Sequence, residues 1–236
     1  MKIPKPSVNY LELRPGNLLS EKFRHLLLLL YWPFYCVVFM FLEHTYPKYM
    51  SSLGKEFHVM HCALDDIIPF NEIFLVPYMF WFLYIIFVLL YTLLYDVDAY
   101  NGMMTFVIIT YTLSLIIYFT YPTIQHLRPT VFERDNFLTD YMRAFYNFDT
   151  NTNICPSVHV FGSFASTFTI MHIKNAGLKI KIAANIMNIL ICLSTVFLKQ
   201  HSAIDVFVAL PICLIAYFIS FRFEGKKDKK AKEYVI

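Results

Sequence analysis

The sequence predicts an all-α fold, a polytopic membrane bundle of six transmembrane helices. Three observations predict it. The 236 residues are 58% hydrophobic and only 16% charged, where a soluble domain is about 45–50% apolar. The mean hydropathy is +0.51. The charges cluster between long apolar runs, and those runs are continuous rather than alternating, which excludes a β-barrel. With no internal repeat and no low-complexity linker, residues 1–236 form a single membrane-embedded domain.

In chain order, residues 1–24 come first. Lys2, Lys5, Arg14, Glu21, Lys22 and Arg24 precede the first apolar run, and no small-residue cleavage site follows it, so this is not a secretory signal. Pro4, Pro6 and Pro15 disfavour a helix there, and the segment is expected to lie along the membrane surface. The six predicted spans are Leu26–Leu42, Ile73–Tyr95, Met103–Tyr121, Val158–Met171, Ile182–Leu198 and Ala203–Phe221. A span needs about 20 mostly apolar residues. The fourth run is the shortest and contains Gly162, Ser163, Ser166 and Thr167. Small residues let helices pack closely in lipid, so this helix is expected at the centre of the bundle. Two long loops, 44–72 and 122–156, join spans on one side.

Lysine and arginine set the orientation. The side shared by both termini holds 14 of them and the other side six. The termini are therefore expected in the cytoplasm, with the two long loops on the outer or lumenal face of a cell membrane. Residues 222–236 form a basic cytoplasmic tail suited to anionic headgroups. It belongs to no folded basic domain, so nucleic acid is not an expected partner. Cys36, Cys192 and Cys213 lie inside spans as small apolar fillers. Cys62 and Cys155 both fall on the outer side, either paired or free.

On this topology three polar clusters reach the same face. One is "QHLRPTVF", with Arg128 before Pro129. The second is "NICPSVHVF", residues 153–161, with Pro156, Ser157 and His159. The third is "LSTVFLKQHSAIDVF", with Ser194, Lys199, His201 and Asp205. Each has an ordinary reading alone: an interfacial arginine, a helix start after proline, a His–Asp pair satisfying itself at i, i+4. Ionisable residues at membrane depth default to function, however, and three clusters on one face point to a site.

The set suits a phosphoryl group. Arg128 and Lys199 supply positive charge. The start of the fourth span offers free N–H groups, and Ser157 adds a hydroxyl. His201 fits the nucleophile, with Asp205 fixing its tautomer. His159 fits the acid that protonates a leaving alkoxide. The set requires no metal and no cofactor. Lys199 has two open readings, a phosphate ligand or an interfacial lysine reaching the headgroups.

These residues resemble the type 2 phosphatidic acid phosphatase family, the membrane branch of the superfamily that includes vanadium haloperoxidases. Its pattern runs K-x6-R-P, then P-S-x-H, then S-R-x5-H-x3-D. Arg128-Pro129 matches the end of the first motif, Pro156-Ser157-Val158-His159 all of the second, and Ser194, His201 and Asp205 the third. Tyr121 stands at the lysine position and Thr195 at the arginine position. Lys199, Arg134 and Arg143 are the candidate replacements. These departures are similar to the branch containing inositol phosphorylceramide and sphingomyelin synthases.

The resemblance implies a lipid phosphatase acting on a lipid phosphate or isoprenyl diphosphate through a phosphohistidine on His201. A phosphotransferase that passes the group to a second lipid is the first alternative. A non-catalytic lipid binder or transporter is the second. The hydropathy excludes a soluble haloperoxidase.

Overall fold

A computed structural model describes residues 5–223. The basic tail 222–236 predicted above lies, from residue 224, outside the described residues, as does Lys2. The regular structure is almost entirely helical, with very little strand. The long elements are α1 (Tyr31–His44), α4 (Leu75–Tyr95), α5 (Val97–Thr120), α7 (Val158–His172), α8 (Leu178–Phe197) and α9 (Ala203–Tyr217). Short helices fill the outer loops: α2 (Tyr46–Ser52), α3 (Ala63–Ile67) and α6 (Phe137–Phe148).

Five helical segments among the described residues are long and apolar enough to cross a membrane: Arg24–Ser52, Glu72–Tyr95, Val97–Thr120, Leu178–Phe197 and Ala203–Phe221. Their outward faces are apolar. Val37, Leu83, Phe87, Ile186, Phe207 and Ile215 are all exposed, a surface that only lipid or another apolar partner can cover. The predicted fourth span is the exception to the six. At 15 residues, α7 is about 22 Å long, shorter than a hydrocarbon core of about 30 Å. It does not need to face lipid. It packs most extensively on α8, then α5, then α4, and it is buried on nearly every side. A Cβ on Gly162 would lie 2.4 Å from Ile85 and 2.7 Å from Trp81 Nε1 and Tyr111 OH, so α4 and α5 reach the α7 backbone only because that side chain is absent. The predicted central position of this helix therefore holds.

The N-terminal segment is irregular, with 3₁₀ turns at Tyr10–Glu12 and Pro15–Asn17. It docks on the end of α4, where the Ser7 N–H donates to Leu94 O at 2.9 Å and the Tyr10 hydroxyl to Leu93 O. The first apolar run starts as a 3₁₀ helix, Arg24–Leu30, and becomes α-helical at Tyr31. Pro33 follows two residues later and has no N–H to offer the carbonyls of the 3₁₀ turn before it.

The two outer loops are knitted together. Strands β1 (His58–Val59) and β2 (Thr123–Ile124) pair in parallel, and the Asn153 N–H donates to Thr123 O at 2.7 Å. Helix α6 is amphipathic. Met142 and Thr139 are buried while Phe137, Tyr141 and Phe148 are exposed. Its N-terminus is anchored by Asn136, which donates to Glu72 at 3.0 Å.

Candidate functional site

The site forms where the N-termini of α7 and α9 meet the outer loops. Ser157 is the N-cap of α7, yet its hydroxyl makes no capping bond. That hydroxyl is buried without any protein partner, so its hydrogen-bonding capacity remains for a ligand. Two residues on, His159 makes no hydrogen bond to protein among the described residues, and its Nδ1 is fully buried. Its ring is held by packing instead, 4.4 Å from the Tyr78 ring and 4.3 Å from Trp81.

His201 is held differently. It lies just before α9, in the turn that follows α8, and its ring centroid is 5.5 Å from that of His159. Its Nδ1 is 2.9 Å from Ile154 O and 3.2 Å from Asp205 Oδ2. Both partners only accept, so Nδ1 carries the proton and the Nε2 lone pair is free. The contact with Asp205 arises from a cap and not from one helix face, as the i, i+4 spacing suggested. Ser202 is the N-cap of α9, and Asp205, at the third helical position, accepts the Ser202 N–H at 3.0 Å. The same carboxylate therefore closes the helix end and orients the imidazole.

Arg128 projects into the same region. It donates to Tyr146 O at 2.9 Å, Thr150 O at 2.6 Å and Gln200 Oε1 at 2.6 Å, and it lies over the Tyr146 ring. All three acceptors are neutral, and among the described residues Arg128 forms no ion pair. Its charge remains uncompensated by direct contact and suited to an anion.

Lys199 is elsewhere. The chain does turn here, as a phosphate role would require, with Lys199 in the left-handed region at φ 53°. But its ammonium donates to Asp65 O at 2.7 Å and Ile68 O at 2.5 Å. It binds the carbonyls that end α3 and is buried, so it does not reach out to the headgroups. The other candidate replacements are also engaged. Arg134 pairs with the buried Glu72 at 3.0 Å, and Arg143 pairs with Asp135 and Asp140. Tyr121 stacks on His58 at 3.7 Å. The cysteines Cys62 and Cys155 are free thiols, not a pair.

The structure adds three residues that spacing did not reveal. Asp65, buried in α3, accepts the Ser202 hydroxyl at 2.5 Å and the N–H groups of Ala203 at 2.8 Å and Cys62 at 2.9 Å. Burial opposes its charge, but the bonds from Ser202, Ala203 and Cys62 outweigh that and hold its pKa below the usual carboxylate value. Gln125 donates to Lys199 O at 2.9 Å. Gln200 joins Arg128 to Asp149, donating to Asp149 Oδ2 at 3.0 Å. Nothing in a pattern of motifs marks these, because each lies in a loop and acts through a fold contact.

Beside His159 lies a cavity of about 870 Å³ between α1, α4, α5, α6 and the start of α7. Aromatic and aliphatic side chains line it, Trp32, Phe39, Trp81, Ile85, Phe145 and Phe148 among them, and among the described residues His159 and Asp149 are its only His, Asp, Glu, Lys or Arg residues. It spans Tyr78 to Leu89 on α4, about 16 Å along the helix.

No protein-family model, curated protein or solved structure matches this chain.

The geometry separates two roles for Lys199. As a fastener of α3, Lys199→Met should lower stability by about 1.5–3 kcal/mol, the range for hydrogen bonds to a charged group, read as a drop in melting temperature in detergent. A drop in substrate affinity with melting temperature unchanged would return it to the phosphate site.

Proposed function

We propose that this chain is an integral membrane lipid phosphatase, hydrolysing a lipid phosphate or an isoprenyl diphosphate through a phosphohistidine at His201. The observation that carries the reading is the pairing of two unlike histidines. His201 is locked by Ile154 O and Asp205 with its Nε2 lone pair free, and His159, 5.5 Å away, has no hydrogen bond to protein. A fixed nucleophile opposite an uncommitted acid is what in-line phosphoryl transfer asks for.

His201 Nε2 attacks phosphorus. Arg128, the Ser157 hydroxyl and the N–H groups at the start of α7 take the non-bridging oxygens. His159 protonates the departing lipid oxygen and then removes a proton from the water that releases phosphate. Asp205 keeps the imidazole in one tautomer throughout. No step calls on a metal or cofactor. The apolar tail lies in the cavity beside His159, whose lining matches hydrocarbon. The resemblance to type 2 phosphatidic acid phosphatases supports the same roles for the same residues.

In the membrane, α7 completes a six-helix bundle with the five longer segments. The termini are cytoplasmic and the site is outward, following the split of 14 basic residues against six.

Two experiments test these statements. His201→Ala should abolish turnover and any phosphoenzyme. His159→Ala should slow a lipid phosphate by on the order of 10²-fold or more, but an activated aryl phosphate far less, since that leaving group needs no proton. Equal slowing of both substrates would remove His159 from the acid role. For orientation, a cysteine introduced in the loop 122–156 should react with an impermeant thiol reagent on intact cells, and one at Lys229 should not. The reverse pattern would invert the topology.

A further inference from the structure

Asp149 is the residue of this region that the hydrolytic scheme leaves unused. Its position is unfavourable on local grounds. It is the C-cap of α6, where the helix dipole disfavours negative charge, and among the described residues no cation pairs with it. Its two hydrogen bonds, from Gln200 at 3.0 Å and from the Tyr78 hydroxyl at 3.4 Å, both fall on Oδ2. Oδ1 has no protein partner among the described residues. Asp149 lines the same cavity as His159, so a carboxylate with one uncommitted oxygen and an unbonded, nine-tenths buried imidazole border one apolar chamber.

A carboxylate beside a phosphoryl site repels the donor's phosphate. Arg128, Ser157 and the α7 N-terminus already serve that group. What a lone carboxylate oxygen accepts without penalty is a neutral O–H. Burial raises the Asp149 pKa, against the opposing charge of Arg128. That favours a group which takes up a proton over one which holds a fixed cation. The rest of the chamber is hydrocarbon-lined, so the molecule that brings the hydroxyl carries an apolar chain.

We propose that Asp149 binds and deprotonates the hydroxyl of a lipid alcohol, so that the phosphoryl group on His201 passes to a second lipid in competition with water. The proposal rests on the phosphohistidine reading of His201. In the transfer step the alcohol oxygen forms a bond to phosphorus and the bond from phosphorus to His201 Nε2 breaks. That electron pair returns to the imidazole, and the hydroxyl proton goes to Asp149 Oδ1. His159 has given one proton to the first lipid's oxygen and Asp149 has gained one from the second, so the cycle closes when a proton passes from Asp149 to His159, directly or through water.

The test uses the full-length protein in detergent micelles, with dioleoyl phosphatidic acid as donor and 1-dodecanol as acceptor. Dodecyl phosphate, inorganic phosphate and phosphohistidine are measured together. The wild type should form both phosphate products. Asp149→Asn, which preserves shape and the Oδ2 acceptor, should lower the ratio of dodecyl phosphate to inorganic phosphate by about 10²-fold, the lower range for loss of a general base. Asp149→Glu should recover part of it. A ratio unchanged in Asp149→Asn overturns the proposal, as does a wild type that forms phosphohistidine but no dodecyl phosphate. A wild type that forms no phosphohistidine overturns the hydrolytic reading beneath it. Because the readout is a ratio, a variant that only folds less well would lower both products and leave it unmoved, which also counts against the proposal.

Discussion

A polar turn buried beside an apolar bundle must find partners for its donors and acceptors, since each unmet group costs about 1–3 kcal/mol. The turn Leu198–Ser202, between α8 and α9, is that constraint here. Lys199, Gln200, His201 and Ser202 are all buried, and their partners come from the whole outer half of the molecule. Asp65 takes the Ser202 hydroxyl, Gln125 and Tyr146 donate to the carbonyls of Lys199 and Leu198, and Ile154 holds the His201 ring. The outer loops are ordered because this turn needs them, and the turn is fixed because they are ordered. A nucleophile placed on it inherits that rigidity.

The opposite arrangement holds on the other side of the pocket. His159 and Ser157 sit on the most enclosed helix of the bundle, yet neither side chain spends its polar atoms on the protein. Packing alone positions His159, between Tyr78 and Trp81. One wall of the site is therefore satisfied and rigid, and the other is rigid but chemically unspent. The cavity adjoining the second wall is apolar, which on the proposed reading would hold a lipid chain in a hydrocarbon environment while its headgroup met the polar groups.

Much of this was legible in the chain, for physical reasons that differ by element. Long continuous apolar runs have few other uses, so α4, α5, α8 and α9 stand out. The centrality of α7 was readable from Gly162, Ser163, Ser166 and Thr167, because only close helix packing rewards such residues in lipid. Its shortness was readable too, since the run Val158–Met171 is the shortest of the six and the helix ends one residue later, at His172. His201, Asp205, Ser157 and His159 were visible as a pattern because neighbours in sequence remain neighbours across one turn or one cap. The contacts of Lys199 were not legible, because its charge is read from sequence while its direction depends on a left-handed residue and on carbonyls more than 130 positions away. Asp65, Gln125 and Asp149 belong to contacts of that same long range. Helix α6 escaped because an amphipathic surface helix carries no long apolar run.

The central claim is that the His201 Nε2 lone pair, held free by Ile154 and Asp205, is the atom that bonds phosphorus. The most direct test is a structure of the protein with orthovanadate, which adopts the five-coordinate geometry of phosphoryl transfer. The account predicts vanadium bonded to His201 Nε2, with Arg128 and the Ser157 hydroxyl on its equatorial oxygens and His159 opposite the histidine bond. Vanadate bonded to His159, or seated against Lys199 with His201 unoccupied, would contradict it.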